Sequence, residues 1–283
     1  MYLQDIPVLY INLKRDVSRR KIIDKDLADI GTSFKRIDAV YGKYLYDPAY
    51  RKKLSKRLGV PTNKLKPEYW LNRSNFKTMD NNKNSVLSKV GCYLSHLLAI
   101  KKAYNENYNK VLILEDDAMP LINAFDKFVI PKDADIYYVG GGYFYLNGES
   151  RSSAKHIKID TNKLKICGTF AYIIPNKENI KHMYNLFMSV FKDGKGHDKT
   201  DNWKTNTLRL RAQASDFMII NFIQKAGNAY ISNPPKFSFR EFTSNITNNR
   251  QKYKLTYFLN NSQQYKMLGR RELYGGLYKL LTN

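Results

Sequence analysis

The chain has 283 residues, 43% of them hydrophobic and 26% charged, which is enough for one large domain with a full core. Its formal net charge of +23 calls for an anionic counterpart such as a phosphorylated small molecule, a lipid surface or nucleic acid. Two cysteines exclude a disulfide framework, and four scattered histidines supply no zinc motif.

In chain order, PVLYINL (7–13) reads as a strand, KRDVSRR opens a helix to Ile30, and Gly31 fits its C-cap. SFKRIDAV (33–40) is the next strand, so a βαβ unit and a parallel sheet are expected. Residues 41–85, rich in Lys, Asn and Pro, read as an insertion of short helices over the sheet edge. From Val86, apolar residues at Val90, Leu94, Leu97 and Leu98 have helical spacing, and VLILEDD then forms a third strand. Pro120 permits a new helix start. DIYYVGGG (135–142) is a fourth strand, 143–163 a hairpin or loop, and ICGTFAYIIP (166–175) another strand before a helix over 177–191. SDFMIINFIQKAG is expected as a helix capped by Ser215 and ended by Gly227, and AYISNPPKF as a closing strand.

The start, MYLQDIPVLYINL, runs directly into a strand and is no secretory signal. No apolar run reaches the roughly 20 residues a membrane span needs. A cytoplasmic location follows as an expectation, with Cys92 and Cys167 as buried thiols. The N-x-S/T triplets at Asn72, Asn245 and Asn261 read as accidents of an Asn-rich chain. A catalytic domain over 1–245 and a basic helical tail over 246–283 are expected. The tail carries Arg250, Lys252, Lys254, Lys266, Arg270, Arg271 and Lys279 beside a leucine stripe. Two readings of it stand: a helix lying peripherally on an anionic membrane, and a last helix packed on the domain.

Glu115, Asp116 and Asp117 end a run that reads as a buried strand. Adjacent carboxylates repel, and a desolvated one is costly unless a cation or hydrogen bonds answer it. Strand ends of this kind are where open α/β sheets bind ligands, and oxygen ligands suit Mn²⁺ or Mg²⁺ with substrate phosphates.

INLKRD-x-SRR, FKRIDAV-x-G, GCYLSH and VLILEDDA, in this order, resemble the glycosyltransferase family 25 of lipooligosaccharide and collagen galactosyltransferases. GTFAYIIP and SDFMIINFI are similar to its later blocks. The resemblance implies an α/β, GT-A-like nucleotide-sugar-binding fold with a mostly parallel sheet flanked by helices. It also implies inverting, metal-dependent transfer of a hexose, galactose first, from a UDP-sugar to a hydroxyl of a glycan or hydroxylysine-type acceptor. On that reading Asp117 is the principal metal ligand, with Glu115 or Asp116 assisting it or holding ribose. Asn12 and Leu13 sit where uracil and ribose meet the first strand. One of Arg15, Arg19 and Arg20 clamps the diphosphate, because a guanidinium offers phosphate a bidentate fork. Asp38 accepts from ribose or base, or pairs with Arg36. His96, with Ser95, lines the nucleotide or metal site or is a bonded core residue. Asp216 is the candidate base, with Asp198 and Asp201 as rivals. Gly140, Gly141 and Gly142, with Gly168 and Thr169, let the backbone approach the sugar.

Three other classes compete. A basic nucleic-acid-binding protein is motivated by the charge, but no recognition motif accompanies it. A phosphohydrolase lacks the Asp nucleophile at the first strand, which ends in Asn12. A non-catalytic nucleotide-binding relative would not need the intact acidic run.

Overall fold

Strand β1 (Val8–Asn12), helix α1 (Val17–Ile30) and strand β2 (Phe34–Asp38) form the expected βαβ unit, with β1 and β2 parallel and Asn12 level with Asp38. This computed structural model describes residues 1–71, 83–145, 154–197, 200, 202–211 and 213–240. The 246–283 tail, Asp198, Asp201 and the three N-x-S/T asparagines lie outside these residues.

Gly31, with a φ of 76°, ends α1 in the left-handed conformation that a residue without Cβ adopts at little cost. After β2, a 3₁₀ turn (Gly42–Tyr46) leads to α2 (Pro48–Leu58), a second 3₁₀ turn (Thr62–Leu65) and α3 (Pro67–Leu71). Their apolar side chains Leu45, Leu54, Leu58, Leu65 and Trp70 share one core with the long helix α4 (Lys83–Asn105).

The central sheet has seven strands in the order β2-β1-β3-β7-β5-β8-β6. The remaining members are β3 (Val111–Glu115), β5 (Ile136–Tyr145), β6 (His156–Lys158), β7 (Leu164–Ile174) and β8 (Ala229–Ser232). β2, β1, β3, β5 and β8 share one direction, while β7 and β6 run against it, so the sheet is mostly parallel. Both faces are covered. Val111 and Ile113 point into the core under α4 and α5 (Lys177–Met188), whereas Leu112 and Leu114 join Ile23, Leu27 and Ile30 of α1. This explains why VLIL shows no alternation, as expected of a strand buried on both faces. Each of these side chains contributes about 1.5–3 kcal/mol by leaving water.

Two expectations are corrected. Pro120 does not open a helix. It ends β4 (Ala118–Pro120), which pairs antiparallel with β9 (Phe237–Phe239), and a 3₁₀ turn over Ile122–Phe125 follows. The β4–β9 pairing absorbs backbone groups that a helix start would have left to a cap. The second concerns Ser215. Helix α6 (Ser215–Met218) is capped by Ala214, so Ser215 lies inside its first turn, and the chain widens over Ile219–Gln224 into turns closed five residues apart, such as Lys225 N–H to Ile220 C=O.

Candidate active site

Parallel pairing brings Asn12, Asp38 and Glu115 to the same end of the sheet, because Asn12 is level with Asp38 and Ile11 with Glu115. The turn after β3 adds Asp116 and Asp117. β7 approaches antiparallel, with Ala171 opposite Leu114, and so delivers Thr169 beside the acids. α4 presents Cys92 and His96 from above, and α6 presents Ser215 and Asp216.

The three consecutive acids occupy three different environments. Asp116 is buried. Its Oδ1 accepts from Arg19 Nη1 at 3.0 Å and its Oδ2 from Asn12 Nδ2 at 2.8 Å. Burial raises its pKa, opposed by the Arg19 charge and these two bonds. Glu115 accepts from His96 Nε2 and Thr169 Oγ1, both at 3.2 Å. Burial pushes its carboxyl up, but the His96 and Thr169 bonds and the Arg19 charge outweigh it, and the net shift is downward. Asp117 has no such support. Its Oδ1 is buried with no hydrogen-bond partner among the described residues. Burial, then the charges of Glu115 and Asp116, hold its carboxyl well above the usual carboxylate range. An unanswered carboxylate oxygen beside two other acids fits a hard dication, which takes oxygen ligands and relieves that repulsion.

The backbone of the acidic turn is clamped by a residue 122 positions on from Ala118. Arg240 N–H donates to Asp117 C=O at 2.7 Å and its Nη1 to Ala118 C=O at 2.9 Å, while its Nη2 pairs with buried Asp26 of α1. No sequence pattern marks Arg240, since its partner lies 214 positions away.

The remaining candidates divide. Leu13 is half-buried, and its carbonyl accepts from Asp16 N–H in the turn after β1. Arg15 is the exposed arginine of the three, its guanidinium 3.9 Å above the Tyr41 ring and 3.7 Å from Asp16. Arg19 is committed to Asp116. Arg20 lies by Tyr10, whose hydroxyl donates to Asp24 at 2.5 Å, and not by the acids. Asp38 is 3.6 Å from Arg36, which also donates to Asn12 Oδ1 at 3.4 Å.

Ser95 stands apart from the acid cluster, since its hydroxyl donates to Gly91 C=O and accepts from Val40 N–H. His96 is fully buried. Nε2 donates to Glu115, a group that only accepts, while Nδ1 meets the Tyr172 hydroxyl at 3.0 Å, so its part is to hold Glu115 rather than to touch a substrate. Gly140 and Gly141 are not openings for a sugar. A Cβ at Gly140 would lie 2.6 Å from the Phe170 ring, and one at Gly141 2.4 Å from Ile166, so these glycines admit neighbouring groups of the protein. Thr169 is instead a hub whose Oγ1 meets His96, Glu115 and Ser215.

Asp216 is half-buried and its Oδ1 accepts from Phe217 N–H. Burial, then the nearby Glu115 charge, raises its carboxyl. Cys92, expected as an ordinary core thiol, is half-buried and stands 3.4 Å from Ser215 Oγ at the edge of this cluster. The signal was its position one turn before His96.

The acidic cluster stands at the carboxyl ends of the parallel strands, the place where open α/β sheets as a class bind their ligands. Residues 5–133 match the family model described as glycosyltransferase family 25 (LPS biosynthesis protein). The matched segment carries Asn12 through Asp117, and Thr169, Ser215 and Asp216 lie beyond it. Among solved structures, the chain is similar to a glycosyltransferase involved in the glycosylation of the major capsid of PBCV-1, at 8% identity and a TM-score of 0.32. That match covers 65% of this chain and 66% of the other, just under two thirds of it. Curated proteins give no significant sequence match. Among the described residues, no helix is long and apolar enough to cross a membrane.

Proposed function

We propose that this chain is an inverting, metal-dependent glycosyltransferase that moves a hexose from a UDP-sugar to a hydroxyl of a glycan or hydroxylysine-type acceptor. Galactose is the sugar the family resemblance favours. The observation that carries the reading is the buried, unpartnered Asp117 oxygen beside Glu115 and Asp116 at the strand ends.

Asp117 and Glu115 would hold Mn²⁺ or Mg²⁺, which when bound neutralises charge on the diphosphate leaving group. The other roles belong to the chain itself. Arg19 and Asn12 fix Asp116, which keeps the turn in one orientation. His96 and Thr169 aim Glu115. Arg15, exposed beyond β1, is the arginine placed to meet the diphosphate, and Asp38 and Asn12 lie where a nucleoside would rest. Asp216 takes the proton of the acceptor hydroxyl as its oxygen bonds to the anomeric carbon and the bond to UDP breaks. A carboxyl raised by burial is a better match to that proton than an ordinary one.

A panel of UDP-sugars with and without Mn²⁺ tests this, comparing wild type with Asp117→Ala and Asp216→Asn. Metal-dependent turnover of one sugar, lost in Asp117→Ala, is expected. Equal activity in wild type and Asp117→Ala, or consumption of no nucleotide sugar, would overturn it. The sequence of the basic tail further suggests contact with an anionic membrane. Co-sedimentation with anionic vesicles should then fall on deletion from Ile246, and binding that survives the deletion removes the idea.

A further inference from the structure

Among the described residues, ligand atoms of Cys92, His96 and Glu115 all lie within 4.8 Å of one another. Cys92 and His96 are four residues apart on α4, so they stand one above the other on the same helix face, turned to the end of β3. Around a tetrahedral zinc, sulfur, nitrogen and oxygen ligands sit about 3.3–3.8 Å apart, so the three groups need to close by at most about 1.5 Å. Three features prepare them. His96 Nδ1 is held by the buried Tyr172 hydroxyl at 3.0 Å, the outer partner that fixes a ligating imidazole and leaves Nε2 for the ion. Thr169 Oγ1 lies 3.2 Å from both Nε2 and Glu115 Oε1, an oxygen in reach of a fourth position. Cys92 is half-buried rather than sealed in the core, so an ion can reach it.

We propose that Cys92, His96 and Glu115 form a thiolate-containing cation site that selects Zn²⁺ or Co²⁺ over Mg²⁺. Sulfur with imidazole suits borderline-soft ions, whereas Mg²⁺ takes oxygen ligands in octahedral geometry. On binding, the thiol proton goes to solvent and the sulfur bonds the ion; His96 loses its Nε2 proton and carries one on Nδ1 instead, donated to the Tyr172 hydroxyl oxygen, so that Nε2 bonds the ion, and Glu115 exchanges its His96 bond for the same ion. Because Glu115 also stands beside Asp117, a soft ion draws it away from the acidic turn. The site and the Asp117 oxygen are therefore separate by chemistry and linked through one carboxylate. This inference does not depend on the sugar-transfer reading, because its readout is spectroscopic.

The test is a Co²⁺ titration of the chelator-treated full chain without nucleotide. The expected result is a thiolate-to-cobalt charge-transfer band in the near ultraviolet that saturates at one equivalent and is displaced by Zn²⁺ but not by excess Mg²⁺. Cys92→Ser should abolish the band and weaken Zn²⁺ binding at least about tenfold, while Asp117→Asn keeps both. A second measurement needs no variant: Zn²⁺ should protect Cys92 from alkylation in wild type, read by peptide mass so that Cys167 is scored apart. Absence of the band in wild type, its survival in Cys92→Ser, its loss in Asp117→Asn, or alkylation of Cys92 unaffected by Zn²⁺ would each overturn the proposal.

Discussion

Replacing Asp117 by Asn keeps the side chain's shape and removes its charge, which separates two effects that an activity assay merges. In the metal-free protein, wild-type Asp117 presents a buried oxygen without a partner among the described residues, beside Glu115 and Asp116. A buried unsatisfied polar group costs about 1–3 kcal/mol, and an amide facing two acids relieves at least part of this. For a chain of this size 1 kcal/mol moves the melting temperature by about 2–4 °C, so metal-free Asp117→Asn should melt a few degrees above wild type. Mn²⁺ at 100 times its dissociation constant stabilises the protein that binds it by about 2.7 kcal/mol. Wild type should therefore gain about 5–10 °C and the variant almost nothing, reversing their order. The assay is differential scanning calorimetry of both proteins in chelator and across a Mn²⁺ series. Equal Mn²⁺ shifts in the two, or a metal-free variant less stable than wild type, would refute the argument that Asp117 is an unanswered charge awaiting a cation.

The acidic turn also sets a pH dependence. Asp116, Asp117 and Asp216 are all raised above the ordinary 3.8, so the folded state holds their protons more tightly than the unfolded state. Their contribution to metal-free stability is fully present below that value and is lost as pH rises through the raised ones, whereas Glu115, shifted down, contributes in the opposite sense below the ordinary carboxylate range; chemical denaturation from pH 4 upward, by about one unit a step, isolates the decline, which Mn²⁺ should flatten. Arg240→Met should destabilise the protein by about 1–3 kcal/mol in urea unfolding because buried Asp26 loses its guanidinium partner, and a double-mutant cycle with Asp26→Leu should return a coupling of about 0.5–3 kcal/mol; simple additivity would show that the pair contributes nothing. Gly91→Ala would gain about 1 kcal/mol in helix propensity, but the new Cβ would lie 2.5 Å from Val40 C=O and 2.7 Å from Gly42 N. A net loss of about 1–3 kcal/mol is expected, and unchanged stability would show that the 40–42 segment moves away freely.

The parts of this molecule legible in its sequence are those written in local pattern. The βαβ unit follows from β-rich runs flanking a helix with Gly at its end, and the acidic run marks its own position behind VLIL. Directions within the sheet were less accessible. Nothing local in ICGTFAYIIP tells that β7 inserts antiparallel beside β3, yet that reversal is what carries Thr169 to the acids. The same limit applies to Pro120, where a residue suited to a helix start is claimed by a strand 117 positions later. Side-chain roles were hidden for a related reason. Three adjacent acids look alike until Arg19, Asn12, His96 and Thr169 arrive from four different elements. Arg15, Arg19 and Arg20 read alike in a sequence where they fall within six residues of one another, and only the position of β3 separates the one that meets Asp116 from its neighbours.

A chain of net charge +23 has cations enough to neutralise every acid in this turn, and among the described residues it does not do so. Arg19 is placed on Asp116. His96 and Thr169 are placed on Glu115. Arg240, close enough to bond Asp117, contacts its backbone carbonyl and sends the charged end to Asp26 instead. An arginine turned the other way would have answered the Asp117 carboxylate directly and stabilised the metal-free protein. The observed arrangement fixes the backbone of that residue while leaving its side-chain Oδ1 without a partner among the described residues, at a cost of about 1–3 kcal/mol. Rigid backbone with an unsatisfied, buried acceptor is the combination expected of a ligand held ready for a partner that arrives from solution.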